Sequence, residues 1–307
     1  MAWSGTFRRA FTLTDLLVIS GLIVFIAALA PPLARDVGED ARVAQCLSNL
    51  HALMRATTAY MSDYDGRFPN LNRAATGVAV ATWRFGGKTN RDFWQNAWGG
   101  AFFTPVVDRP MNPYLLGAFV EPDSVAPDGT RRRTEVPVLR CPSDRSSHQS
   151  LNWGWGGSDR PPVPVSCYDD VGTSYQFNLH ALDPAGPDAT IYPFSLWTNQ
   201  GEGWNIACRL LIRQVLANQA DTFMFFLEDP LDWACAWRVL TTGNHGGFGQ
   251  HSVGYLDGHA DHTFRDTHGL CGVGWEAIVK EWVWSYGQLD PPSPPYYQDQ
   301  GVSCEPQ

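Results

Sequence analysis

Histidine and aspartate residues are concentrated near the C-terminal end of this 307-residue chain, where five of the eight histidines lie between positions 245 and 268. Imidazole and carboxylate groups on neighbouring strands can coordinate a metal ion, as a metal-dependent hydrolase would require. The ligands would be His245, His251 and His259. However, no HExxH or comparable spacing is present, and an odd separation places His259 and His262 on opposite faces of a strand. The pattern therefore favours a structural role, without a catalytic residue or a bound metal.

Seven cysteines are present and none belongs to a CxxC pair, which argues against zinc-ribbon and thioredoxin-like sites. In an oxidising compartment disulfides are expected, and the odd count leaves at least one thiol without a partner in the same chain. The cysteines are Cys46, Cys141, Cys167, Cys208, Cys235, Cys271 and Cys304.

Other short motifs carry little chemistry. Asp63-x-Asp65-Gly66 could indicate calcium, but an EF-hand needs more oxygen ligands and a later Glu, so a plain turn is favoured. No GxSxG, P-loop or GxGxxG-after-strand motif is present, and we expect neither an enzyme nor a cofactor. The tryptophan- and glycine-rich run at 153–157 could line a glycan-binding surface, although such residues more often belong to a core or a subunit interface.

Composition limits the class of partner. The formal charge is −9, from 22 basic and 31 acidic residues, and no Lys/Arg-rich tract could hold a phosphate backbone. We therefore expect no nucleic acid partner. The 29 glycines and 22 prolines indicate many turns and long surface loops rather than a helical bundle.

An uncharged apolar run occupies residues 16–34. As a helix it would rise about 28 Å, close to the thickness of the bilayer's hydrocarbon core. Arg8 and Arg9 precede it, so the first residues should stay in the cytoplasm and the chain after Asp36 should lie outside. A cleaved secretory signal and a plain signal anchor are alternatives, but neither explains the carboxylate of Asp15 at the start of the run.

Residues 10–15, Ala-Phe-Thr-Leu-Thr-Asp, resemble the processing site of type IV prepilins and type II secretion pseudopilins. The resemblance implies cleavage between Ala10 and Phe11, N-methylation of Phe11, and Asp15 as the acid that pairs with a neighbouring subunit's new amino terminus. Such a pair is attractive in low dielectric, whereas either charge alone is penalised. Pro32 matches the proline that commonly bends these helices. The chain differs from the usual pattern in having Ala before the cut and Asp in place of Glu.

Apolar residues continue this segment as an amphipathic helix. They recur at spacings of four and three on one helical face, and they are Val43, Leu47, Leu50, Met54, Thr57 and Met61. We predict one helix over residues 11–62, with a bend near Pro32. Two helices separated at Pro31, Pro32 and Gly38 are the alternative.

Strand patterns follow in the C-terminal part. Segments 136–144, 173–180 and 217–229 are predicted strands, and the first of them is predicted to end in a Cys-Pro turn. Residues 70–140 are predicted loops with short strands and one short helix. Residues 252–256 and 259–264 are predicted to form a hairpin closed by the two-residue turn Asp257-Gly258. A short helix is expected near 274–288.

Several of these elements resemble a large bacterial prepilin-like family. The similar features are a cysteine-containing helix before Asp-Gly-x-Phe-Pro, a Cys-Pro-Ser-Asp segment, a Ser-Tyr-x-x-Asn strand, and an upstream histidine before Asp-Gly-His. His245 and Asp257-Gly258-His259 match the last of them. Because Cys46 and Cys141 both lie in family-like elements, the resemblance makes them the first candidates for a disulfide.

The resemblance implies an α+β, pilin-like fold: a long N-terminal transmembrane and stalk helix packed on a C-terminal antiparallel β-sheet domain with long loops. The predicted regions are a cleaved cytoplasmic leader (1–10), the helix (11–62), an ectodomain (63–290) and a Pro-rich tail (291–307). Within the helix, 11–35 is the membrane and filament-core part and 36–62 the stalk.

The implied function is that of a structural subunit, with one pass through the inner membrane and an extracytoplasmic, periplasmic domain. It would polymerise with like or different pilin subunits into a type IV pilus or secretion pseudopilus, in the periplasm or at the cell surface. A prepilin peptidase and an inner-membrane assembly platform are the implied partners. The alternatives are a membrane-anchored adhesin or glycan-binding module and a tethered metal-dependent hydrolase.

Overall fold

The computed structural model describes residues 13–66, 69, 81–117, 119–152, 162–178, 216, 220–221, 223–237, 239–265 and 267. The predicted cleavage site at Ala10 and Phe11, the run at 153–157, the predicted helix near 274–288 and the tail lie outside the described residues. The chain divides into two units, Met1–Ala41 and Arg42–Gln307, and each is described by itself.

Helix α1 extends over Leu13–Asp63 as one helix of 51 residues, close to the predicted bounds. It includes Pro31, Pro32 and Gly38, so the alternative prediction of two helices separated at these positions was wrong. Asp15 and Pro32 are part of the helix, but their side chains are outside the described set. Within the part of the chain that the structure describes, no helix combines the length and apolarity needed to cross a membrane.

The second half of α1 has a continuous buried face. Leu50, Met54, Thr57 and Met61 are buried, in agreement with the predicted periodicity. Cys46 lies on the same face one turn before Leu50 and has no solvent exposure. Of these, the side chains of Cys46, Leu50, Met54 and Met61 belong to the main hydrophobic core together with residues of the sheet.

The sheet has four antiparallel strands in the order β3-β4-β5-β6. Its strands are β3 (Tyr175–Phe177), β4 (Met224–Glu228), β5 (Gln250–Tyr255) and β6 (Ala260–Phe264). All residues of β3 and β4 are buried, as expected for the apolar run in β4. Helix α1 packs against this sheet, which confirms the predicted α+β architecture. Helix α6 (Asp229–Trp237) follows β4 directly.

The β5–β6 hairpin is confirmed, but its turn is one residue longer than predicted. The Gly258 amide donates to the Tyr255 carbonyl, and the Tyr255 amide donates to the His259 carbonyl. Gly258 has a φ of +99°, which glycine adopts without steric cost. This pattern is a three-residue loop with a bulge glycine rather than a two-residue turn.

Between α1 and β3 the described chain consists of short elements joined by loops. The α-helices are α2 (Phe93–Asn96), α3 (Asn112–Leu116), α4 (Gln149–Asn152) and α5 (Cys167–Val171). The 3₁₀ helices are Ala97–Gly100, Val106–Asp108 and Pro137–Leu139. A two-stranded ribbon pairs β1 (Ser124–Val125) with β2 (Arg131–Arg132). The prediction of a single short helix before residue 140 was therefore wrong.

The predicted strand at 136–144 was also wrong, because its centre is the 3₁₀ helix Pro137–Leu139. Pro137 has no amide hydrogen to donate to a neighbouring strand, and its fixed φ suits the first position of a helical turn. The amides of Leu139 and Arg140 instead donate to the carbonyls three residues earlier. The segment still reaches the sheet region, since the Ser174 amide donates to the Leu139 carbonyl.

Candidate functional site

Cys46 is positioned by the buried face of α1. Its Sγ lies 3.2 Å from the hydroxyl oxygen of Tyr175, the first residue of β3. Both residues are fully buried. The tyrosine hydroxyl therefore anchors the thiol at a fixed place between the helix and the sheet.

Cys141 reaches the same place from the turn after the 3₁₀ helix. Its amide donates to Ser174 Oγ at 3.0 Å, and its side chain is buried. The Ser143 amide hydrogen-bonds back to the thiol. The Cys-Pro-Ser-Asp segment thus directs this sulfur inward.

His245 is supplied by the loop between α6 and β5. Its Nε2 lies 3.4 Å from Cys141 Sγ, and its ring meets the His262 ring edge to face at 5.3 Å. The loop is held by hydrogen bonds from the Gly243 amide to the Gly247 carbonyl and from the Gly246 amide to the Gly243 carbonyl. His262 in turn has its Nδ1 3.0 Å from Ser252 Oγ.

Cys46, Cys141 and His245 therefore form one cluster, which we call the Cys-Cys-His cluster. One ligand atom from each lies within 4.8 Å of the others. Among the described residues it is the one group of three or more histidine, cysteine or acidic side chains arranged to hold a metal ion.

The candidate trio of His245, His251 and His259 is not brought together in that way. His251 is fully buried on β5, and its Nδ1 lies 2.7 Å from Glu228 Oε1. His259 follows the hairpin turn, where its ring stacks on Tyr255 at 3.9 Å. Backbone register explains the difference, since His251 faces the sheet core and His259 flanks the turn.

Cys46 and Cys141 are both free thiols in this structure. Their sulfur atoms lie within 4.8 Å of each other. The disulfide itself stays a prediction. Cys167 and Cys235 are the other described cysteines, and both are buried.

Proton sharing gives the two thiols opposite pKa shifts. A hydrogen bond from Cys141 lowers the pKa of Cys46 to about 6 against the effect of burial, with further hydrogen bonds from His245 and Tyr175. The same hydrogen bond and burial raise the pKa of Cys141. The pair therefore loses its first proton easily and its second with difficulty, as coupled groups do.

A buried carboxyl–imidazole contact between Glu228 and His251 lies close to the cluster. Glu228 Oε1 accepts a hydrogen bond from the Asn244 amide at 3.3 Å and contacts His251. Glu228 Oε2 and His251 Nε2 are buried and have no hydrogen-bond partner among the residues that the structure describes. Burial also lowers the pKa of His262, although Glu228 opposes that effect. The hydrogen bond to Glu228 thus holds the backbone of Asn244, the residue before His245.

A cavity of about 560 Å³ adjoins the cluster on the side of Ser143 and Asn244. His148 and Trp233 line it, with their rings stacked at 5.4 Å. His148 Nδ1 also lies 3.0 Å from the buried carboxylate of Asp229. Trp233 is 3% exposed, so it does not present a flat face to a sugar.

The Asp63-x-Asp65-Gly66 segment forms a turn after α1, as favoured by its sequence. Asp63 accepts a hydrogen bond from the Tyr114 hydroxyl at 2.7 Å. No group of acidic side chains suited to calcium surrounds it within the described ranges. The segment therefore has the structural role of ending helix α1.

Comparison with known proteins identifies the region that carries most of this geometry. Residues 36–184 match the family SBP_bac_10, described as "Protein of unknown function (DUF1559)". We refer to residues 36–184, the part of the chain that matches this family, as the DUF1559 domain. The DUF1559 domain contains Cys46, Cys141 and Tyr175, whereas His245 lies after the matched residues. No curated protein and no solved structure matches the chain.

Sequence reasoning missed three residues that shape the DUF1559 domain's cysteine pair. Tyr175 was placed in a strand, but no local pattern indicates that its hydroxyl meets Cys46, 129 residues away. Ser143 was part of a predicted Cys-Pro turn and Glu228 of a predicted strand, and neither had an assigned role. The signal that could have drawn attention to Ser143 is its position two residues after a cysteine, in a turn whose amide can face the sulfur.

Proposed function

We propose that this protein is a type IV pilin-like or pseudopilin-like structural subunit. It is cut by a prepilin peptidase between Ala10 and Phe11, and it then polymerises through its N-terminal helix. The single observation that carries the proposal is the processing-site pattern: a basic leader, Phe-Thr-Leu-x-acid, and an apolar run that starts directly after it.

The exposed apolar surface of the first unit supports a role in lipid and in a filament core. The described apolar side chains from Leu16 to Phe25 are between 43% and 68% exposed. Burial of such side chains is favourable by about 25 cal/mol per Å². Lipid could cover this surface before assembly, and sister helices could cover it afterwards.

The second unit supports the same proposal by its architecture. Within the second unit, the buried face of α1 packs on an antiparallel sheet, and the residues up to Ala41 belong to the first unit. The DUF1559 domain begins at residue 36, immediately after the apolar run. A subunit of a helical filament needs this division between an assembly segment and a head.

The proposal also states location and partners. The subunit would cross the inner membrane once, with its head on the extracytoplasmic side, until a prepilin peptidase and an inner-membrane assembly platform admit it to a filament. Sister subunits, alike or different, would be its partners in the polymer. We propose no nucleic acid partner, because the chain carries a net charge of −9.

The N-terminus of the mature protein tests the proposal directly. Mass spectrometry of the protein from its native membranes should find a chain that begins with N-methyl-Phe11. A chain that begins at Met1, or one cut after Ala34, would contradict the proposal. The first outcome would make the apolar run a tether, and the second would make it a secretory signal.

The two alternative functions have less support among the described residues. Trp83, Trp94 and Trp233 are at most 3% exposed and pack in the interior, which weakens the glycan-binding hypothesis for them. The separation of His251 and His259 from His245 removes the ligand set on which the hydrolase hypothesis rested. Neither alternative explains the pattern at Ala10–Phe11.

A further inference from the structure

We propose that the Cys-Cys-His cluster is a zinc site in which the thiolates of Cys46 and Cys141 and the Nε2 of His245 coordinate one Zn²⁺ ion. The proposal does not depend on the function in filament assembly. It rests on the position of three ligand atoms that come from three distant segments of the chain.

The distances suit the ion. Tetrahedral zinc with Zn–S near 2.3 Å and Zn–N near 2.0 Å separates neighbouring ligand atoms by about 3.5 to 3.8 Å. Cys141 Sγ and His245 Nε2 are 3.4 Å apart, and all three ligand atoms lie within 4.8 Å of one another. An ion can therefore be placed by small adjustments of side-chain torsions, without movement of the backbone.

The surroundings orient the ligands as a metal site requires. The Tyr175 hydroxyl lies 3.2 Å from Cys46 Sγ, and the Ser143 amide hydrogen-bonds to Cys141 Sγ. Hydrogen bonds of this kind fix a ligand's direction and spread the charge of a thiolate. Both sulfurs are also buried, so the orientation does not depend on exposed, mobile side chains.

The chemistry of the donors selects the class of ion. Thiolates and imidazole favour zinc over calcium and magnesium, which prefer oxygen ligands. Two thiolates balance the charge of a divalent ion in a buried place, where a net charge is costly. Three protein ligands leave one tetrahedral position for water.

Such an ion would connect elements that are far apart in sequence. Cys46 belongs to α1, Cys141 follows the 3₁₀ helix Pro137–Leu139, and His245 lies in the loop before β5. Cys141 and His245 are 104 residues apart. Closing long loops removes much of the entropy of the unfolded chain, so the ion would stabilise the packing of α1 on the sheet.

A disulfide between Cys46 and Cys141 is the competing state of the same sulfurs. It requires an S–S bond of about 2.0 Å and leaves no thiolate for a metal. Its presence in the native protein would therefore overturn the zinc proposal. The two states are distinguishable because zinc needs His245 and a disulfide does not.

The test uses the full chain, purified in detergent with a reductant. Titration with Zn²⁺ should give one ion per chain, and Co²⁺ in its place should give intense sulfur-to-metal charge-transfer absorption from thiolate ligands. Cys46→Ser, Cys141→Ser and His245→Ala should each weaken Zn²⁺ binding by more than about tenfold. Cys235→Ser and His259→Ala are matched controls outside the cluster and should retain binding.

Three results would overturn the proposal. The first is a reduced wild-type chain that binds no Zn²⁺ and shows no charge-transfer band with Co²⁺, a result that does not depend on how any variant folds. The second is unchanged binding in His245→Ala, since that substitution leaves both thiols in place. The third is a Cys46–Cys141 disulfide in protein whose free thiols were alkylated during cell lysis, found by peptide mapping.

Discussion

Arg109 is a cation that the fold holds away from solvent. Its Nη1 donates to the Trp83 carbonyl at 2.8 Å, and its Nη2 donates to Asn90 Oδ1 at 3.0 Å and to the Val171 carbonyl at 2.6 Å. Burial lowers the pKa of this guanidinium to about 9, and the nearby charge of Arg84 adds to the effect. One side chain thereby ties three loops of the DUF1559 domain together.

We expect Arg109→Met to lower the free energy of unfolding by about 3 kcal/mol or more. The substitution leaves several buried carbonyl oxygens without a donor, and each such group costs about 1 to 3 kcal/mol. Urea unfolding followed by fluorescence measures the change. Arg131→Met is the control, because the ion pair of Arg131 with Asp92 is solvent-exposed and should contribute less than about 1 kcal/mol. Equal effects of the two substitutions would contradict the role of Arg109.

Asp144 is a buried carboxyl group between the Cys141 turn and α5. It accepts hydrogen bonds from the amides of Cys167 and Tyr168, each at 2.9 Å. Burial raises the pKa of Asp144 from 3.8 to about 7, although the hydrogen bonds from Ser174 and the two amides act in the opposite direction. The folded chain therefore binds this proton more tightly than the unfolded chain does.

The raised pKa of Asp144 predicts a loss of stability as pH rises. The carboxyl group's contribution to the free energy of unfolding is complete below about pH 4, the pKa of an aspartate in the unfolded chain. It is lost as the pH rises through about 7, and the total loss is up to about 4 kcal/mol. Urea midpoints between about pH 4 and about pH 8 measure this trend. Asp144→Asn cannot titrate, so the difference in slope between the two proteins isolates the carboxyl group. Identical slopes would show that Asp144 titrates normally.

At the scale of elements, the contact between α1 and β5 depends on a residue without a side chain. A Cβ atom at Gly254 would lie 3.4 Å from Leu50 Cδ2 and 3.6 Å from Met54 Cγ. These are ordinary contacts, but they leave no room for further carbon atoms. The helix therefore packs directly on the backbone of the strand.

Gly254→Val should destabilise the fold by about 1 to 3 kcal/mol, because its methyl groups would force α1 and β5 apart. Gly254→Ala is the graded control, and its single carbon should be tolerated with a much smaller change. Thermal or urea unfolding of the two variants gives the comparison. Equal destabilisation by valine and alanine would show that the close contact between α1 and β5 does not restrict the size of the side chain at position 254.

Local patterns predicted some elements well and others poorly. The apolar stripe of α1 and the buried run of β4 were predicted correctly, because a period of 3.6 or a short apolar run reflects a face that must be buried. The segment 136–144 has β-branched residues but also Pro137, and its backbone found helical hydrogen bonds. The turn after Tyr255 was mistaken by one residue, because Asp-Gly is compatible with either loop length.

At the scale of the whole molecule, α1 contributes residues to both units, and the exposure of its apolar side chains differs between them. One face of its second half is buried in the core, whereas the described apolar side chains from Leu16 to Phe25 are exposed. A polymer of such chains would cover these side chains with copies of the same helix. Asp15, at the start of the apolar run, would then control the height at which each copy enters.

Asp15→Ala should leave membrane insertion intact and abolish incorporation into filaments. The acid can no longer pair with a neighbour's freed amino terminus, which would stay uncompensated in low dielectric. Fractionation of membranes and sheared filaments, followed by immunoblotting, measures both properties. Asp40→Ala is the matched control, since it removes an exposed acid from the same helix and should assemble normally. Normal assembly of Asp15→Ala would contradict the register role.

Short-range sequence patterns were sufficient to predict the long helix and the hairpin, because neighbouring residues carry the hydrophobic periodicity that buries one face of an element. The α+β class was implied by the resemblance to prepilin-like proteins. The resemblance to prepilin-like proteins added the pairing of Cys46 with Cys141. Which histidine meets those thiols was decided by the packing of segments about a hundred residues apart. No local pattern encodes that encounter, since it depends on how the loop before β5, the Cys-Pro turn and α1 share one buried space.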